Sequence, residues 1–165
     1  MKLRNFCKAA ALLTATTALL LQLGVARAQF RGVQAASVMP PKGVQIKPGE
    51  DLAVALKVAI RPGYHMNSDN PAEDYLIPTR LTWDVAGLTV KSVEYPKAET
   101  VKYEFSEKPL SVFSGTITLL STFKVPEPLP AGLNELTGTL RYQACNEKAC
   151  LPPVTAEVSV PVTKH

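Results

Sequence analysis

Cys145 and Cys150 are separated by four residues, Asn146-Glu147-Lys148-Ala149, and followed at once by Leu151-Pro152-Pro153. Two sulfurs at this spacing can do three kinds of chemistry. They can close a short structural loop, exchange electrons with another protein's thiols, or supply soft ligands to a metal such as Cu(I). The third cysteine, Cys7, lies in an N-terminal segment built like a secretory signal, so this pair is the only one expected in the mature protein.

The signal reading rests on three parts in order. Lys2, Arg4 and Lys8 give a positive start, Ala9 to Val25 is largely apolar, and Ala26-Arg27-Ala28 offers small residues where a signal peptidase reads them. Threonines and Gln22 dilute the apolar run, which argues for removal before Gln29 rather than for a membrane anchor. Cys7 precedes that run, so no lipoprotein cleavage pattern is present. No later segment could span a bilayer, and the mature protein is expected to be exported, periplasmic and without stable membrane insertion.

Removal of residues 1–28 takes away Lys2, Arg4, Lys8 and Arg27 and no acid, so the 18 basic residues fall to 14, level with the 14 acidic ones. The basicity of the whole chain is therefore a targeting feature and gives no support to nucleic-acid binding. The remaining 137 residues make one ordinary domain, long enough to bury a core without disulfide staples.

The elements that must position the cysteines are strands. Residues 29–48 carry Gly, Pro and Ser with little periodicity and read as a flexible leader, with regular structure starting at Glu50 and the domain spanning 49–165. Leu52, Val54, Leu56, Val58 and Ile60 alternate with the period of a half-buried strand, which Arg61-Pro62-Gly63 ends. Further strands are expected at 80–85, 89–95, 115–125, 136–144 and 154–162, with Pro-rich turns between them and no window of helical period. This pattern predicts an all-β fold, an immunoglobulin-like two-sheet β-sandwich.

Strands 136–144 and 154–162 would form an antiparallel hairpin with Cys145 to Cys150 at its tip. Opposed residues in such a ladder have Cα atoms about 4.5–5.5 Å apart, within the about 4.4–6.8 Å that disulfides use. As a staple the bond would add little, because closing about six residues contributes roughly 2 kcal/mol by chain entropy and a hairpin already holds the ends close. Pro152 and Pro153 have no N–H to donate, so the ladder must stop beside Cys150 and leave it accessible. These points favour exchange over a staple. A structural disulfide in a non-catalytic binding or adaptor module remains open, as does a copper site drawing on His65, Met66 or Met39, although none of those three lies close to the cysteines in sequence.

The stretch Tyr142-Gln143-Ala144-Cys145 through Cys150-Leu151-Pro152-Pro153 resembles the redox-active loop of the N-terminal periplasmic domain of the thiol:disulfide interchange protein DsbD. Pro62-Gly63-Tyr64-His65-Met66-Asn67, Ile77-Pro78-Thr79-Arg80-Leu81 and the run from Tyr103 to Val112 match the same family in order, and together they cover most of the chain from Val44 to Val162. The resemblance implies an immunoglobulin-like fold whose cysteine pair takes electrons from a thioredoxin-like donor and passes them to oxidised periplasmic proteins, with no cofactor. It further implies that Cys150 forms the intermolecular bond and Cys145 resolves it, and that Phe105, with Tyr103 and Glu104 beside it, caps the disulfide. Tyr64 and His65 fall where the family places aromatic residues near the cysteines, Tyr64 as packing and His65 as a group that could exchange protons with a thiol. Polar neighbours Glu104, Ser106, Glu107 and Lys108 put Phe105 in a loop. The family's cap carries two acids before its Phe where this chain has Tyr103-Glu104, a difference that bears on proton handling. The sequence lacks the membrane region and the thioredoxin-like domain of the full-length family members, so a stand-alone receiving module is expected, either served by a separate membrane reductase or given another task.

Overall fold

The computed structural model describes residues 34–85 and 87–164. The expected signal segment, 1–28, lies outside the described residues, as do the first residues of the expected leader. Among the described residues there is no helix, and every element is a strand. The first six are β1 (Ala36–Met39), β2 (Val44–Ile46), β3 (Asp51–Ile60), β4 (His65–Asn67), β5 (Arg80–Asp84) and β6 (Thr89–Glu94). They are followed by β7 (Glu99–Val101), β8 (Leu110–Phe113), β9 (Thr116–Lys124), β10 (Glu135–Tyr142), β11 (Ala144–Cys145) and β12 (Val154–Lys164).

Two four-stranded sheets, ordered β1-β3-β9-β6 and β2-β12-β10-β5, carry the core between them. The alternation read from the sequence is what sorts their side chains. Leu52, Val54, Leu56, Val58 and Ile60 of β3 point inward, as do Leu136, Leu140 and Tyr142 of β10, and the residues alternating with them are exposed apart from half-buried Ala59. A polar contact also crosses the core, since Trp83 of β5 donates its indole N–H to Ser121 Oγ of β9 at 2.8 Å and meets the Phe123 ring edge-on at 5.3 Å. Gly138, paired with Trp83 in the β10–β5 ladder, makes room for this indole, because a Cβ there would lie 2.7 Å from Thr82 O and 2.9 Å from Trp83 Cε3.

The leader expectation needs correction. Regular structure begins before Glu50: β1 pairs with β3 from Ala36↔Ile60 to Met39↔Lys57, and β2 runs parallel to the end of β12. Strands of three or four residues at a sheet edge bury too few side chains to show a period. Two sheets are also not the whole architecture, because a third one is built from short strands in the order β11-β4-β8-β7.

That third sheet positions the cysteines. The turn that ends β3 has Gly63 at φ 82° and a hydrogen bond from Tyr64 N to Arg61 O at 3.0 Å, and it delivers the chain into β4. All three β4 residues, His65, Met66 and Asn67, are buried. Strands β7 and β8 pair from Glu99↔Val112 to Val101↔Leu110, so residues 102–109 form the loop of this hairpin.

Candidate redox site

Strands β10 and β12 form the expected antiparallel pair, ending at Tyr142↔Val154. The segment between them does more than turn, because Ala144 and Cys145 pair with Met66 and His65 of β4. Cys145 and Cys150 are disulfide-bonded with Cα atoms 3.8 Å apart, closer than the hairpin estimate. Cys145 is 0 % exposed, whereas Cys150 is half-buried and followed by exposed Pro152 and Pro153. An incoming sulfur can therefore reach Cys150 more readily than Cys145.

His65 lies directly opposite Cys145 in the ladder. Opposed residues share a face of the sheet with Cβ atoms about 4.5–5.5 Å apart, which puts the two side chains side by side on that face. His65 is only 3 % exposed, and burial lowers its pKa by disfavouring the charged ring. Its Nε2 is buried without a hydrogen-bond partner.

The loop at 102–109 lays aromatic rings over this histidine. Tyr103 stacks on His65 at 4.1 Å between centroids, and Phe105 stacks further out, 5.6 Å from Tyr103 and 6.4 Å from His65. Phe105 is in a turn, as its polar neighbours suggested, and is 38 % exposed; Glu104 beside it is exposed too. Tyr103, half-buried, is thus the ring in closest contact with His65. Burial pushes its hydroxyl pKa up, and the charges of Glu99 and Glu147 push the same way. Glu147 belongs to the cysteine loop, so that loop and the aromatic loop are near enough to feel each other's charge. Tyr64, by contrast, packs against the main core with the Arg61 guanidinium 6.0 Å above its ring.

The aromatic loop is held by its own polar groups. Lys102 Nζ donates to Ser106 O and to Glu107 O, the latter at 2.6 Å, and Ser106 Oγ donates to Lys108 O at 2.7 Å. Lys108 reaches Glu73 of the preceding long loop at 2.9 Å.

Three residues that sequence reasoning gave no role organise the cysteine loop. Asn146 Oδ1 accepts the N–H groups of Lys148 and Ala149, both at 2.9 Å, which closes the tip. Gln143 Oε1 accepts from Asn67 Nδ2 at 3.1 Å and from Ile77 N at 3.3 Å, while Gln143 Nε2 donates to Leu151 O at 3.2 Å. Gln143 and Asn67 both lie in the motifs that carried the resemblance, but their contacts span 76 and 8 residues and leave no local signal.

For the metal alternative, no group of three or more His, Cys, Asp or Glu side chains that could hold an ion occurs among the described residues. Met66 is fully buried in the main core, whereas Met39 is exposed on β1. Among the described residues no helix is long and apolar enough to cross a membrane.

Similarity to known proteins follows the same lines. The chain resembles the DsbD N-terminal domain from Neisseria meningitidis solved in its reduced form, with 19 % identity, a TM-score of 0.47, and coverage of 69 % of this chain and 80 % of that one. It is also similar to the N-terminal periplasmic domain of ScsB from Proteus mirabilis, with 14 % identity, a TM-score of 0.51, and coverage of 78 % of this chain and 46 % of that one. The likeness to the ScsB domain, of which the chain spans about half, bears on the fold alone. No curated protein sequence matches the chain. The family model for the N-terminal part of thiol:disulfide interchange protein DsbD matches residues 35–161, and the chain belongs to that family.

Proposed function

We propose that this protein is a periplasmic thiol:disulfide exchange module that relays reducing equivalents from a thioredoxin-like donor or membrane reductase to oxidised client proteins. The observation that carries this reading is the unequal burial of the two cysteines, Cys145 enclosed and Cys150 only half-buried. The export signal expected at 1–28 and the periplasmic setting of the similar ScsB domain support the compartment.

The chemistry balances through sulfur alone. A donor thiolate attacks Cys150 Sγ, the Cys145–Cys150 bond breaks, and Cys145 leaves as a thiolate that takes up a proton. The donor's second thiolate then attacks its own sulfur in the mixed disulfide and releases Cys150, so the pair gains two electrons and two protons while the donor is oxidised. Toward a client the steps reverse: the Cys150 thiolate attacks the client disulfide, and Cys145 resolves the mixed disulfide. Neutral His65, opposite Cys145 and with an unpartnered ring nitrogen, is suited to take the thiol proton at that moment. The stacked Tyr103 and Phe105 restrict entry when no partner is docked, which matters in an oxidising compartment.

The test is a Cys145→Ser variant expressed in the native compartment, where Cys150 is left without its resolving partner. A thioredoxin-like protein trapped on Cys150 is the expected product, and recovery of no thiol-linked partner would sink the relay. A reduction potential well below about −300 mV, typical of inert structural bridges, would argue against it equally.

A further inference from the structure

The cysteine loop is held at both ends by bonds that do not involve sulfur. Cys145 is fixed by its ladder to β4. At the other end Leu151, the residue after Cys150, donates its N–H to Ala144 O at 2.8 Å and accepts from Gln143 Nε2 at 3.2 Å. The other end of the same carboxamide is occupied by Asn67 Nδ2 and Ile77 N, so the half-buried Gln143 side chain ties the Cys150 end of the loop to β4 and to the segment before β5. Only its Nε2 bond touches the cysteine loop.

We propose that Gln143 is a positioning residue for the exchange reaction: through Leu151 O it keeps Cys150 within bonding reach of Cys145 after the disulfide has opened. The use made of this rests on the relay reading, but the claim itself concerns the thiol pair. In a mixed disulfide between Cys150 and a client, the Cys145 thiolate attacks Cys150 Sγ. The bond to the client breaks, and the client sulfur leaves as a thiolate and takes up a proton. The local concentration of Cys145 around Cys150 sets how readily this happens. A loop free to open on reduction would have to be ordered again before each closure, at a cost in chain entropy. A loop already held at Leu151 avoids most of that cost, which makes the dithiol a better reductant and shortens the life of mixed disulfides.

The test is the glutathione redox equilibrium of the purified protein, with thermal unfolding measured alongside. Gln143→Met keeps the size of the side chain and removes the amide. It should weaken disulfide formation roughly three- to tenfold, a rise in potential of about 15–30 mV. Gln143→Glu retains oxygen acceptors for Asn67 and Ile77 but, when ionised, cannot donate to Leu151, so it should shift the potential as far as Met does. A structural role alone would lower the melting temperature and leave the potential where it was. An unmoved potential in folded Gln143→Met, or a Glu variant that matches the native protein, overturns the proposal. If neither variant folds, Asn146→Ala loosens the loop from its tip; a raised potential there supports a pre-held loop, and an unchanged one overturns it. A shifted potential in a protein that exchanges with no thioredoxin-like partner removes the relay and leaves the tether standing.

Discussion

The rings of His65 and Tyr103 lie 15° from parallel with centroids 4.1 Å apart. One belongs to the strand that pairs with Cys145, the other to the loop between β7 and β8, so the stack joins the cysteine strand's partner to the aromatic loop. Displacing Tyr103 exposes His65 and, with it, the sheet face that His65 shares with Cys145. If the proposed exchange runs at this pair, the same contact bears on access to the disulfide and on the surroundings of His65.

Removing the inner ring should matter more than removing the outer one. An aromatic pair contributes about 0.5–1.5 kcal/mol beyond the area it buries, so Tyr103→Ala should speed reaction of the disulfide with glutathione roughly two- to tenfold. Phe105, further from His65 and partly exposed, should give a smaller increase when changed to Ala. Stopped-flow thiol exchange on the oxidised proteins measures both, and rates equal to the native one would mean that the stack does not cover the bond.

Lys102 offers a way to loosen the loop without touching a ring. Its ammonium group bridges the carbonyls of Ser106 and Glu107, and Lys102→Met leaves both without that donor. Faster amide exchange across 103–108 is expected, together with a modest rise in thiol reactivity. Faster amide exchange with unchanged reactivity would show that the loop's mobility and the protection of the disulfide are separate properties.

The sandwich core makes a prediction about stability rather than chemistry. Ser121→Val removes the acceptor of the buried Trp83 N–H and should cost about 1–3 kcal/mol in unfolding free energy. Ser121 lies on β9, which takes no part in the small sheet that holds the cysteines, so the redox potential should stay constant. Urea unfolding and the glutathione equilibrium read the two effects independently.

What could be read from the sequence divides along physical lines. Strands β3, β10 and β12 are long, with one face toward the core, and alternation locates each of them within about two residues. Strands β4 and β8 are largely buried on both faces and only three or four residues long, so they show no alternation by which periodicity could locate them. The same limit applies to the site. The spacing of Cys145 and Cys150, the prolines after them and the polar neighbours of Phe105 are local facts. The stack of Tyr103 on His65 joins residues far apart in the chain, and so does the reach of Gln143 to Asn67; both depend on a third sheet that periodicity could not reveal.

The buried neutral imidazole should also mark the protein's response to acid. The ordinary histidine pKa is 6.5, and burial lowers that of His65 in the folded protein. Below about pH 6.5 the unfolded chain therefore binds a proton that the folded chain refuses. Stability is full above that pH and is lost as the pH falls toward the folded pKa, with a slope of at most about 1.4 kcal/mol per pH unit. His65 is the only histidine among the described residues, and Asp51, whose pKa is lowered from 3.8 chiefly by its hydrogen bond with Lys91, titrates at lower pH. His65→Tyr keeps an aromatic ring against Tyr103 and removes the titrating nitrogen. Urea unfolding of the oxidised proteins between about pH 5 and 7.5 should show the acid-side slope in the native protein and a flatter profile in the variant. Equal slopes would mean that burial beneath Tyr103 does not lower the pKa of His65.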